Sequence, residues 1–328
     1  MTDFNPAWVL RPTLLGLLLF SGCSKSTEPA EDDFSDRAAY VLIVRGDNAL
    51  YTIRGDGTRP ERIGEGYWPL VSPDGKLVAF RQSGGSSTLF VCDISSRLTR
   101  QILSTENWDR YAWSPASDRI VFSGSRESTG YAIRVVTIAS GAVDSLTDGF
   151  AGSQRYPHWL PDSVTIAYTQ KPGILSLSTI CSYSLENGSV TETEVPYGDM
   201  EWSPDGEMLF AGGHIVAWPS LELIEDFPGV TSEVYYCKWF PDSKHLFIRT
   251  STDTYRFNIE TNAYGWISAE KPSNEAFTVS SDGMLAGYIP SPGKHLTVMN
   301  SDGLRKTSIT IPGVSSYTYM QFAGDTAW

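Results

Sequence analysis

The chain has 328 residues, of which 41% are apolar and 12% aromatic, ample for a folded core. Its 38 acidic residues outnumber 25 basic ones and set a formal charge of −13. That balance excludes a nucleic-acid backbone as partner, because such binding needs a basic footprint.

In chain order, the apolar stretch 14–20 comes first, too short to span a bilayer as a mature helix. Ser21-Gly22-Cys23 follows it, small residues before a cysteine. This start resembles a bacterial lipobox, which implies cleavage of a signal peptide over 1–22 and lipidation at Cys23. Several acyl chains on one residue would give stable membrane anchoring where a single chain would not. Ser24 after the cysteine implies, by the Gram-negative sorting rule for this class, the outer membrane, facing the periplasm or the cell surface. Residues 24–38 are polar and acidic, cannot bury enough surface to fold, and with Cys23 read as a flexible tether over 23–38.

From residue 39 the chain reads as short strands between turns. Stretches 40–44, 49–53 and 60–63 look like strands two, three and four of a unit that lacks its first strand. Stretch 317–322 is a first strand with no others behind it, and it supplies the missing one. Joining the ends removes the exposed edges of an open sheet.

Between these ends one short motif returns. Val71-Ser72-Pro73-Asp74-Gly75 and Trp202-Ser203-Pro204-Asp205-Gly206 are full copies. Trp113-Ser114-Pro115, Trp159-Leu160-Pro161-Asp162, Trp239-Phe240-Pro241-Asp242, Val279-Ser280-Ser281-Asp282-Gly283 and Phe322-Ala323-Gly324-Asp325 are variants. The proline position recurs at 73, 115, 161, 204, 241, 281 and 324. In Ser-Pro-Asp-Gly, serine suits the first position of a type I turn, proline the second, and glycine the left-handed residue that closes a hairpin. Each copy precedes a short apolar strand, so the motif joins strands one and two of a blade. The aromatic before it is expected to wedge against the next blade. Seven repeats of about 41 residues predict a seven-bladed, all-β propeller of four-stranded blades over 39–328.

The repeat is similar to that of the TolB-like propeller family, also described as WD-repeat-like or as the PD repeat. As a pointer to function the resemblance is broad, since the same repeat builds binding modules, enzymes and scaffolds. It implies a non-enzymatic envelope lipoprotein, monomeric, that binds a protein, peptide or glycan. The alternative is a carbohydrate-active enzyme of the oligogalacturonide-lyase-like propeller type, a family that shares this repeat and uses a histidine-rich metal site in the channel mouth. The four histidines here, His158, His214, His245 and His295, fall at different heights, so no metal, catalytic residue or cofactor is expected. The gating propeller of prolyl oligopeptidases is a third relative, with a hydrolase domain that this sequence does not show. Cys92, Cys181 and Cys237 fall on strands of non-adjacent blades and read as buried apolar cysteines.

The candidate ligand site lies just before each first strand, where the chain crosses between blades and reaches the channel mouth. Trp68, Trp108, Arg110, Arg155, Tyr156, Asp199, Tyr236 and Tyr319 fall there. Aromatic and arginine side chains of this kind anchor protein and peptide ligands. The repetitive turns on the opposite rim are poorly suited to discriminate between ligands.

Overall fold

The computed structural model describes residues 34–323 apart from 83–86, 106–107, 127–129, 172–178, 195–199, 212–213, 226, 228–233, 251–252 and 269–271. The apolar stretch 14–20 and Cys23 lie outside the described residues, as do Gly324 and Asp325 of the last motif copy. The fold is all-β, a seven-bladed propeller of four-stranded antiparallel sheets. Blade one holds Tyr67–Val71, Leu77–Gln82, Ser87–Asp93 and Thr99–Thr105. Blades two to six begin with Trp108–Trp113, Ser153–Trp159, Met200–Trp202, Val234–Trp239 and Pro272–Val279. The closing blade is built from both ends of the chain, in the order Tyr317–Phe322, Val41–Gly46, Ala49–Arg54 and Glu61–Glu65.

Position within a blade decides which residues a strand needs. Second strands are covered on both faces by neighbouring blades, so they read as continuous apolar runs rather than alternating ones. Leu285–Pro290 is buried at every residue, whereas the fourth strand Val143–Ser145 of blade two is exposed at all three.

The recurring turn is built as the motif implies. Gly75 N–H donates to the Ser72 carbonyl at 2.9 Å, and Gly75, Gly206 and Gly283 take φ of +71°, +76° and +73°. Side chains lock the turn further. Ser72 Oγ donates to Asp74 Oδ1 at 2.6 Å and accepts from Leu77 N–H at 2.9 Å. Burial alone would raise the Asp74 carboxyl, but hydrogen bonds from Ser72 and Lys76 outweigh it and hold the group below the usual carboxylate range. Where glycine is missing, Ser117, Ser163 and Ser243 take the left-handed conformation instead. Ser117 and Ser243 then accept hydrogen bonds at 3.1 Å from Asp74 N–H and Asp205 N–H, each in the preceding blade.

Two expectations need correction. The motif tryptophans wedge against the preceding blade, not the next. Trp113 Nε1 donates to the Leu70 carbonyl at 2.9 Å, and Trp239 Nε1 to the Glu201 carbonyl at 3.1 Å. The pleat explains this: side chains alternate between faces, and this position of the first strand points backward round the ring. Residues 34–38, expected to be part of a flexible tether, are folded instead. Phe34–Ala39 forms a 3-10 helix whose Arg37 is 1% exposed. Its guanidinium donates to Val298 O at 3.2 Å, Thr307 Oγ1 at 3.0 Å, Asn300 Oδ1 at 2.9 Å and Arg305 O, all in blade six. A buried charge of this kind is tolerated because its donors are matched by oxygens.

Cys92, Cys181 and Cys237 are free thiols in the core. Burial pushes the Cys237 thiol well up, which keeps it inert.

Deleting residues 317–328 removes the only first strand of the closing blade. The truncated chain is expected to aggregate or lose its single cooperative urea transition; an unchanged melt would refute the closure. Arg37→Ala strands several acceptors and is expected to lower unfolding free energy by about 3 kcal/mol, read from urea denaturation.

Candidate functional site: the channel mouth

First strands begin at the rim where the chain passes from blade to blade. Among the described residues, six of the seven pair irregularly with their second strands there. Bulges of this kind re-aim side chains, and they break the uniformity that the repeat otherwise imposes. At two of them a large residue is left-handed: Trp68 with φ +50° and Tyr156 with φ +54°. Both stand at the same place in the repeat, five residues before the proline position. The other blades put Arg110, Asp199, Tyr236, Ala276 and Tyr319 there.

The structure brings several of the expected residues together. Trp68 is 52% exposed and Tyr156 is 43% exposed. The Arg110 guanidinium lies 5.8 Å from the centre of the Tyr156 ring. Arg81, at the end of the second strand of blade one, lies 5.3 Å from the Trp68 ring and 5.3 Å from the Trp108 ring. Arg45 lies 4.4 Å from the Tyr67 ring. Rings and guanidinium groups therefore alternate round the mouth from the closing blade to blade three, in contacts of cation–π type.

Other expected residues sit differently. Trp108 is only 3% exposed and packs edge-on against Tyr111 at 5.1 Å, in a cluster with Ala79 and Leu89 of blade one. It supports the rim rather than lining it. Tyr111 in turn donates its hydroxyl to Trp68 O and, at 3.1 Å, to Ala79 O; burial pushes that hydroxyl far above the ordinary tyrosine value. Arg155 turns outward, 4.1 Å from the Tyr131 ring on the third strand of blade two. Tyr236 and Tyr319 are half-buried; Tyr236 packs on the core of blades five and six, and Tyr319 donates its hydroxyl to Gln321 Oε1. Asp199 lies outside the described residues.

A second ring lies one pleat deeper, three residues before the proline position, and the sequence reading missed it. It runs Leu70, Ala112, His158, Glu201, Lys238, Thr278 and Gln321. In it Lys238 Nζ pairs with Glu201 Oε1 across adjacent blades, and His158 stacks on Trp202 with ring centres 5.0 Å apart. The Glu201 carboxylate raises Lys238 above the ordinary lysine value against the opposing effect of burial. Burial holds the His158 imidazole below its ordinary value, with Glu201 opposing and Lys238 reinforcing. The signal was available: all three residues share one position in the repeat. The histidines do not gather round His158, since His245 stands on the turn-bearing rim, bonded to Asp242 and Asn258.

No family model matches the chain. Over 192 residues it is 30% identical to the Tol-Pal system protein TolB of Francisella tularensis, covering 52% of this chain and 44% of that relative. The chain carries a propeller similar in sequence, over those residues, to part of TolB. It spans less than half the length of the curated relatives it matches. Among solved structures, TolB from Acinetobacter baumannii superposes with a TM-score of 0.55 at 16% identity, over 87% of this chain and 66% of the other. The Pyrococcus horikoshii acylaminoacyl peptidase gives a TM-score of 0.62 at 13% identity, over 83% of this chain and 50% of the other. At such identities the two superpositions show the propeller fold alone.

The lowered His158 value predicts an acid response. Its folded value lies below its unfolded one, so its contribution to stability is full above about pH 6.5 and is lost as pH falls through the folded value. Replacing His158 by Gln is expected to flatten the decline of melting temperature between about pH 7 and pH 5. Parallel curves for both proteins would refute this.

Proposed function

We propose that the propeller is a non-enzymatic binding module of the cell envelope, and that its ligand, a protein, peptide or glycan, sits on the channel mouth. One observation carries this reading. Trp68 and Tyr156 are exposed large rings held on left-handed backbone at matching bulges, each beside a guanidinium group. An exposed ring on a disfavoured conformation has no role in the core, and backbone strain of this kind concentrates at ligand sites. Rigid aromatic and arginine side chains are also the residues in which binding energy concentrates.

Two further features support the envelope as its place. The relatives bear the name of the Tol-Pal system, which fits a protein partner there. The apolar stretch 14–20 followed by Ser21, Gly22 and Cys23 fits export and lipid anchoring at Cys23, on the outer membrane by the identity of Ser24. Mass spectrometry of the mature N-terminus is expected to find an acylated Cys23; a chain that begins at Met1 would remove the anchor from the proposal.

The mouth is tested with Trp68→Gly and Tyr156→Gly together. Glycine relaxes the left-handed backbone, so the fold should melt no lower than the parent. Each ring lost from such a site removes about 2 kcal/mol, so affinity for a partner crosslinked from envelopes should fall about thirtyfold for either change alone and several hundredfold for both. A variant altered at Asp74 and Asp205, on the opposite rim, should bind normally. The reverse pattern would move the site to that rim, and turnover of a polysaccharide by the purified chain would make it an enzyme.

A further inference from the structure

The seam where the ring closes holds a second feature, on the turn-bearing rim and away from the mouth. A cavity of about 150 Å3 lies between the closing blade and the turn after the third strand of blade one. Its floor is apolar, made by Val41 and Ile53 of the closing blade and Ile94 of blade one, all buried. Its walls carry three arginines, Arg54, Arg59 and Arg97, and one carboxylate, Glu61.

The carboxylate is already engaged. Arg97 Nε donates to Glu61 Oε2 at 3.2 Å, its Nη2 bonds the same oxygen, and its Nη1 donates to the Ile94 carbonyl. Arg54 donates to the Ala38 carbonyl. Arg59 is exposed and forms no hydrogen bond or ion pair among the described residues. Arg97 and Glu61 pair with each other, which leaves the Arg59 guanidinium to face the same small space, in a chain whose formal charge is −13.

The backbone points the same way. Arg59 and Arg97 are left-handed, with φ of +51° and +61°. At the place of Arg97, other blades put Gly141, Gly188, Asn262 and Leu221. Glycine and asparagine take this conformation readily, whereas a long side chain costs about 1 kcal/mol there. Two such residues bring their side chains to the same cavity.

We propose that this seam cavity binds a small oxyanion, the phosphate or carboxylate head of a ligand, held by the Arg59 guanidinium, with the Arg97 N–H groups that Glu61 and Ile94 leave over as secondary donors. A guanidinium fork matches such oxygens with two parallel N–H donors. The apolar floor excludes water from one side and strengthens those bonds. Size limits the ligand: drug-sized molecules occupy pockets of roughly 300–1,000 Å3, so only a head group enters here. The site is open to solvent, so binding is weak and falls with salt.

The test is calorimetric titration of the purified chain at low ionic strength with inorganic phosphate and, separately, with acetate. Saturable binding at one site by either anion is expected, and the stronger of the two names the head group. Arg59→Gly should weaken it at least about tenfold without lowering the melting temperature, because glycine suits the backbone. Arg62→Ala removes the same charge from an exposed pair with Glu65, outside the cavity, and should leave binding unchanged. Absence of saturation for both anions, or equal weakening by Arg59→Gly and Arg62→Ala, would overturn the site.

Discussion

The pairing of Tyr317–Phe322 with Val41–Gly46 is the contact on which the other blades depend. Each blade buries both faces, so each needs a neighbour on either side. At the closing blade the two faces feed separate clusters. Leu42, Val44 and Ile53 pack with Leu285, Ile289 and Val298 of blade six, and Val41, Ile43 and Leu50 pack with Val71, Val78 and Phe80 of blade one. An open ring would leave both clusters half in water and expose a row of unpaired backbone groups. Closure by hydrogen bonds between distant strands makes a circle from a chain that is otherwise a string of local hairpins.

The two rims answer to different demands. The turn-bearing rim is regular because Ser, Pro, Asp and Gly satisfy one another locally, and a serine in place of glycine mends the joint by reaching the preceding blade. The mouth is irregular because bulges interrupt nearly every first strand there. A repeat gives stability through sameness and recognition through departure from it. The departures here are Trp68, Arg110 and Tyr156 at the surface, and His158, Glu201 and Lys238 one pleat below.

Blade number, hairpin position and the closing strand were legible in the sequence because their causes are local: a turn motif and the apolar strand behind it. Residues at the mouth were legible only in part. Trp108 and Trp68 look alike as aromatic residues before a first strand, yet the bulges and the pleat send one into the core and leave the other in solvent. The Glu201–Lys238 pair needed the blades laid in register, since its partners are far apart in sequence. Arg37 was hidden by composition, because a polar, acidic segment gives no sign that one of its charges finds four oxygens in blade six. The seam arginines were hidden for a like reason: they meet only once the ring has closed.

The Arg37 latch has a mechanical consequence. The short helix that carries it lies on the turn-bearing rim, where Tyr40 also bonds Asp282 and Arg54 bonds the Ala38 carbonyl. A force applied through the chain ahead of Phe34 would otherwise fall on Val41–Gly46 and peel it from Tyr317–Phe322, unzipping one hydrogen bond at a time. With Arg37 clamped into blade six, the pull reaches a neighbouring blade before it reaches the closing strands, and several bonds must shear together. Under such a load the joint between Val41–Gly46 and Tyr317–Phe322 would be reinforced by a contact to the neighbouring blade.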